Sequence, residues 1–192
     1  MKIALYGATG LIGSRVEAEA ERRGHHVTPL HRGVPRGDAT DLDSVRDVAA
    51  AHDAIVSAIA PSRDDPDAFT AVVRGLAGAA ESTRLVVVGA AGSLFAAPGV
   101  RLFETPGFPE IIRPSSLAHF RSLEFLGASG PGLDWTYVSP APLIEPGERT
   151  GSYHVAADEP AGERISAEDY AVALVDELER PAHRRERLTV AN

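Results

Sequence analysis

Seven residues near the amino terminus carry the clearest chemical signature: Gly7-Ala8-Thr9-Gly10-Leu11-Ile12-Gly13. They follow the apolar run Ile3–Tyr6 and open a segment, Leu11–Arg23, whose apolar spacing is helical up to Gly24. A strand that turns through glycines into a helix offers backbone amides and the positive end of the helix dipole to an anion. Gly7 allows the tight turn, Gly10 lets the backbone approach a pyrophosphate, and Gly13 lets the helix pack closely on the sheet. The spacing is G-x-x-G-x-x-G rather than G-x-G-x-x-G. It points to a dinucleotide because a regular β-α series follows it.

The choice between dinucleotides is read about 20 residues further on, where an acidic residue would hold the ribose 2′-hydroxyl of NAD. Here that place is taken by His31-Arg32. Arg32 is a planar, permanently charged donor suited to the 2′-phosphate of NADP. NADP is therefore the expected cofactor, with NAD as the alternative. Asp38 lies where it could face the adenine or serve a turn.

The elements that must position these residues alternate. Val27–Leu30 reads as a second strand, Asp41–Ala51 as a helix and Ala54–Ala60 as a strand buried on both faces. A helix over 67–80 and the strand Leu85–Val88 follow. Gly92 to Pro114 is irregular, with four prolines and three aromatics, the character of a binding segment or lid. A helix over 115–128 leads to the strand Asp134–Ser139; Tyr153–Ala157 reads as another strand. Ser166 caps a last helix to Glu179, with Asp169 at the capping-box position, and Leu188–Val190 closes the series. Such β-α units imply an α/β, doubly wound parallel sheet with helices on both faces.

Composition narrows the chemistry. The chain of 192 residues carries 19 Lys and Arg against 27 Asp and Glu, a net charge of -8. Nucleic acid and an anionic membrane are thus unexpected partners. The absence of cysteine excludes thiol catalysis, disulfides and Cys-ligated metals. No basic and apolar leader follows Met1, and no apolar run reaches bilayer length, so a cytoplasmic protein is expected. Lys2 is the only lysine.

GATGLIGS at the amino terminus, GDATD at 37–41 and VVVGAAGSL at 86–94 resemble the atypical short-chain dehydrogenase/reductases. LDWTYVSPA at 133–141 and RISAEDYAVALVDELE at 164–179 extend the likeness to the NAD(P)H-binding, NADH-flavin-reductase-like and NmrA-like branch. The resemblance implies one NAD(P)-binding Rossmann domain over 1–192, with a small substrate region drawn from segments 92–114 and 141–165. It implies that Gly7, Thr9, Gly10, Leu11 and Ile12 cradle the phosphates, while Arg32 and Asp38 flank the adenosine. Ser57, Ala58 and Ile59 would pass beside the ribose. Gly89, Ala90 and a Ser139-Pro140 turn would border the nicotinamide.

One departure matters. Typical members use a Tyr-x-x-x-Lys pair for proton transfer, and a chain whose only lysine is Lys2 cannot hold one. Hydride transfer to a flavin, quinone or similar conjugated acceptor needs less, because the cofactor carries the chemistry and solvent supplies the proton. That is the expected activity. The alternatives are a non-catalytic, redox-sensing NADP-binding regulator, and an isomerase or reductase with its own acid–base group.

Two residues are candidates for catalysis. Ser93 falls where family members place a hydroxyl near the nicotinamide; it could bond a substrate carbonyl or cap the next turn. His119 lies in the helix that normally bears the Tyr–Lys pair, as a proton donor or a packing residue. Phe95, Phe103 and Phe108 could cover an aromatic acceptor or tack the loop down. His25-His26 have no acidic partner nearby in sequence and no metal-binding spacing occurs, so no metal is expected. Arg184-Arg185 reads as a solvated surface pair. No G-x-S-x-G hydrolase signature is present.

Overall fold

The computed structural model describes residues 1–62, 64–80 and 83–192. Its strands, in chain order, are β1 (Lys2–Tyr6), β2 (His26–Leu30), β3 (Ala54–Ser57), β4 (Arg84–Val88), β5 (Phe95–Ala97), β6 (Val100–Arg101), β7 (Trp135–Pro140), β8 (Leu143–Glu145), β9 (His154–Ala156), β10 (Arg164–Ser166) and β11 (Glu186–Ala191). The helices are α1 (Leu11–Arg22), α2 (Leu42–Ala51), α3 (Asp67–Ala79), α4 (Arg113–Gly127) and α5 (Ala167–Glu179). Seven strands form the central sheet in the order β2-β1-β3-β4-β7-β11-β9. All its pairs are parallel except the edge pair β11–β9.

The strand sequences show why both faces are covered. Ile3 and Leu5 of β1 face α1 and α5, whereas Ala4 and Tyr6 face α2, α3 and α4. That period-2 alternation of apolar side chains on both sides is the mark of a sheet buried between two helical layers. The architecture is the Rossmann-like, doubly wound α/β fold expected.

Several expectations are corrected. The third strand stops at Ser57, short of Ala60, because the chain then crosses Gly7: a Cβ there would lie 2.6 Å from the Ala58 carbonyl. Segment 92–114 contains the β5–β6 hairpin and 3-10 turns over 102–104 and 110–112, and a further such turn over 91–93 leads into it. Helix α4 begins at Arg113 rather than Ser115, since Pro114 fits a first turn whose amide has no intrahelical partner. Ser139 and Pro140 form no turn: β7 continues through them, paired with Thr189 and Val190 of β11. Proline is tolerated because β4 has already ended, its Val88 pairing with Val138. The closing strand is longer than expected and lies inside the sheet.

Ser166 caps α5 by accepting from the Asp169 amide at 3.0 Å. Its own amide goes to the Asn192 side chain at 2.8 Å rather than to Asp169, so the capping box is only half formed. The Asp169 carboxylate instead receives Thr150 Oγ1 and the Gly151 amide. Nearby, Glu19 of α1 is 5% exposed and accepts from Arg22, Arg23 and Arg149. Arg23 also bonds Asp176 and Glu179, which fastens α1 to α5. His25, without an acidic neighbour in sequence, meets Glu179 at 2.9 Å.

Arg184 stays at the surface as expected, whereas Arg185 is half-buried. Arg184 pairs with Asp134, and Arg185 donates to the carbonyls of Ser129, Gly130 and Leu133.

Candidate functional site

Parallel strands feed their connecting loops to one edge, and a cleft of about 550 Å³ lies along that carboxyl edge. The turn after β1 forms one wall with Gly7, Thr9 and Gly10. The turn after β2 contributes His31, Arg32, Asp38 and Thr40, and the turn after β3 contributes Ala58, Ile59 and Ser62. The start of α3 closes it with Asp65, Phe69 and Val72.

The glycine turn is shaped by contact. Gly7 adopts φ +82° and its carbonyl accepts from the Gly10 amide at 3.1 Å. A Cβ on Gly13 would stand 2.1 Å from that same carbonyl. No side chain caps α1, and no acidic residue occupies its first turn. The leading amides of α1 are left to face whatever enters the cleft.

At the opposite end, the exposed Asp38 turns its carboxylate onto its own turn. Thr40 donates to it from its backbone at 2.9 Å and from its hydroxyl at 2.7 Å, and these bonds hold the carboxyl below its usual range. Asp38 therefore shapes the turn. Arg32 is exposed on the same turn, and its charge helps to lower the Asp38 carboxyl.

Apart from Ser57, fully buried at the end of β3, the expected cofactor residues divide into three groups. Gly7, Thr9, Gly10, Arg32, Asp38, Ala58 and Ile59 share the cleft. Leu11 is exposed at the start of α1, whereas Ile12 packs against the core. Gly89, Ala90, Ser139 and Pro140 lie further along the edge, at the ends of β4 and β7, outside the cleft walls. There Gly89 is essential by contact, since a Cβ would stand 2.3 Å from the Tyr137 ring.

Neither catalytic candidate faces the cleft. Ser93 is fully buried; its hydroxyl donates to the Ala90 carbonyl at 3.1 Å and accepts from Arg187 at 3.2 Å. It caps the turn rather than facing an acceptor. His119 is buried against Phe69, ring centroids 4.4 Å apart, and burial lowers its pKa to about 3. Here the imidazole packs between Phe69 and Tyr137, and burial disfavours its charged form. Of the three loop phenylalanines, Phe103 is buried and lies 5.7 Å from Phe120, tacking the segment onto α4.

The sequence profile of a family described as NAD(P)H-binding matches residues 7–181. The chain belongs to that NAD(P)H-binding family. Bacillus subtilis YwnB, a protein of uncharacterized function, is 36% identical, with 100% of this chain and 99% of YwnB covered. A Streptococcus pneumoniae protein described as a candidate NADH-flavin reductase is 33% identical, covers 100% and 99% of the two chains, and superposes with a TM-score of 0.91. A candidate exported protein of Burkholderia pseudomallei is 43% identical over 100% of both chains, with a TM-score of 0.90. The resemblance to the atypical short-chain dehydrogenase/reductases is borne out.

The NAD(P)H-binding chain fits a dinucleotide on its own geometry. The Gly7 cradle is one that a side chain would fill, and the α1 amides are uncapped. The hydroxyls of Ser57 and Ser139 are among seven buried side-chain atoms without a partner among the described residues, and both lie beneath the carboxyl edge rather than in the cleft wall.

Sequence reasoning missed the far wall of the cleft, with Ser62, Asp65, Phe69 and Val72, and did not assign Thr40 beside Asp38. The rule that parallel β-α loops gather at one edge would have found the segment 60–69. It also missed Arg187, although an arginine in the apolar run RLTVA was a visible signal. Among the described residues no group of three metal-ligating side chains gathers, and no helix is long and apolar enough to cross a membrane.

Proposed function

We propose that this NAD(P)H-binding chain is a reductase that uses NADPH to deliver hydride to a flavin, quinone or similar conjugated acceptor. The observation that carries the reading is the enclosure of both candidate proton donors. Ser93 is tied into its turn and His119 is neutral and sealed. An acceptor whose extended conjugation takes hydride directly, and whose proton comes from water, needs neither. Described as a candidate NADH-flavin reductase, the S. pneumoniae relative supports the same class.

Bound NADPH supplies the hydride, and the rest of the work is positioning. The α1 amides, with Thr9, hold the pyrophosphate. Arg32, exposed and near enough to Asp38 for their charges to interact, takes the 2′-phosphate, while the Asp38 carboxylate is bonded to Thr40. The backbone of Ala58–Ile59 lines the ribose, and Gly89–Ala90 with Ser139–Pro140 flank the nicotinamide.

The test mixes purified protein with NADPH and either FMN or a soluble quinone and follows absorbance at 340 nm. Turnover supports the reductase. Tight NADPH binding without turnover on any flavin or quinone overturns it and favours the redox-sensing regulator.

A further inference from the structure

Arg187 is the second residue of β11, at the level of Tyr137 on β7 and Val87 on β4. Its neighbours at that level are apolar or aromatic, yet it places a guanidinium in the same layer with a side chain only 3% exposed. Burying a guanidinium is costly unless its bonds are well placed. Arg187 Nη1 donates to the Ser93 carbonyl at 3.0 Å and to the Ser93 hydroxyl at 3.2 Å, and Nη2 pairs with Asp158. From the other side, Arg101 donates to that same carbonyl at 3.0 Å. Its guanidinium carbon lies 3.6 Å from the ring centroid of Phe95 and 4.9 Å from that of Phe120.

Two like charges thus meet on one backbone oxygen. Burial, with Arg187 close by, disfavours the charged form of Arg101, so the pairing has an electrostatic cost. What it fixes is the turn that leaves β4. Ser93 bonds back to Ala90, and Gly89 is pinned by its amide to the Val138 carbonyl at 2.7 Å. Gly92 has no room either, since a Cβ would meet Ser116 Oγ at 2.3 Å.

We infer that Arg187 and Arg101 are positioning residues: their clamp on the Ser93 carbonyl sets the backbone of residues 89–93 against which the nicotinamide ring rests. The inference rests on the proposed site of the nicotinamide, but its test does not depend on turnover.

Hydrogen exchange of the amides from Ala90 to Leu94 is compared in wild type and Arg187→Met, together with NADPH affinity and the fluorescence of bound NADPH. The variant is expected to exchange at least about tenfold faster there, bind NADPH within about twofold of wild type, and lose most of the emission enhancement of the ordered nicotinamide. Where an acceptor turns over, kcat is expected to fall about tenfold with KM for NADPH nearly unchanged, the signature of lost positioning rather than lost binding. Arg187→Lys is expected to restore part of each effect. If Arg187→Met does not fold, Arg101→Met loosens the same carbonyl from a partly exposed position and is read in the same way. Unchanged exchange and emission in a folded variant overturn the clamp. If wild type reduces no acceptor, the reductase proposal fails, while exchange and emission still decide this one.

Discussion

His119 Nδ1 lies 2.8 Å from the Tyr137 hydroxyl, and that hydroxyl lies 3.1 Å from the carbonyl of His119 itself. Each donor finds one acceptor if the imidazole carries its proton on Nδ1 and the phenol donates to the carbonyl. The pair closes on itself in the layer between α4 and β7, and burial holds the imidazole neutral and the phenol protonated.

The histidine makes stability depend on pH. Its ordinary value of 6.5 is lowered to about 3 in the folded protein, so the unfolded chain binds the extra proton first. Stability is complete above about pH 6.5 and is lost as pH falls toward 3, by up to about 1.4 kcal/mol per unit. Urea unfolding at pH 7 and pH 5 is expected to show this loss in wild type. In His119→Phe the difference between the two should shrink, and an unchanged difference would place the effect elsewhere.

Glu19 acts in a lower window. Burial alone would raise its carboxyl, but hydrogen bonds from Arg149, Arg22 and Arg23 bring it well below the ordinary 4.5. Its contribution is therefore complete above about pH 4.5 and disappears as acid titrates the folded carboxylate. Glu19→Gln is expected to cost about 3 kcal/mol at pH 7, as removing one partner of a buried ion pair does. Thermal melts should show a drop on the order of 6–12 °C at pH 7, narrowing at acid pH.

At the glycine turn, Gly13→Ala drives a methyl into the Gly7 carbonyl, which must move together with the cradle. We expect a loss of about 2 kcal/mol in stability from overpacking. NADPH should raise the melting temperature of wild type by linkage and leave that of the variant nearly unchanged. An alanine variant that still responds fully to NADPH would show that the close approach is dispensable.

Arg32→Ala tests cofactor choice. Removing a charge-assisted contact of about 1.4 kcal/mol or more should weaken NADPH at least about tenfold and alter NADH by less than about twofold. A constant NADPH/NADH ratio, measured by titration, would exclude a 2′-phosphate clamp at this residue.

The features legible in the sequence were those written in neighbouring residues. The glycine turn, the caps at Gly24 and Ser166 and the two-sided apolar strands are all local, and the fold class follows from their order. What escaped is joined across the chain. Arg149 reaches Glu19 over 130 residues, and Arg187 reaches Ser93 over 94. No periodicity reports such pairs. His119 illustrates the same limit, because its burial depends on Phe69 and Tyr137, on two other elements. Position in the right helix suggested a proton donor, and nothing in the sequence announced that the side chain would be buried.

The place of β11 bears on how the molecule is made. It follows every other strand in the chain, yet it lies between β7 and β9 and pairs with both. During synthesis, one edge of β7 stays bare and β9 has no partner in the main sheet until residues 186–191 emerge. The region over β1 to β4 can assemble earlier from its β-α crossovers. Folding on the ribosome should therefore pass through a species with an open sheet edge, the kind most prone to pair with another chain.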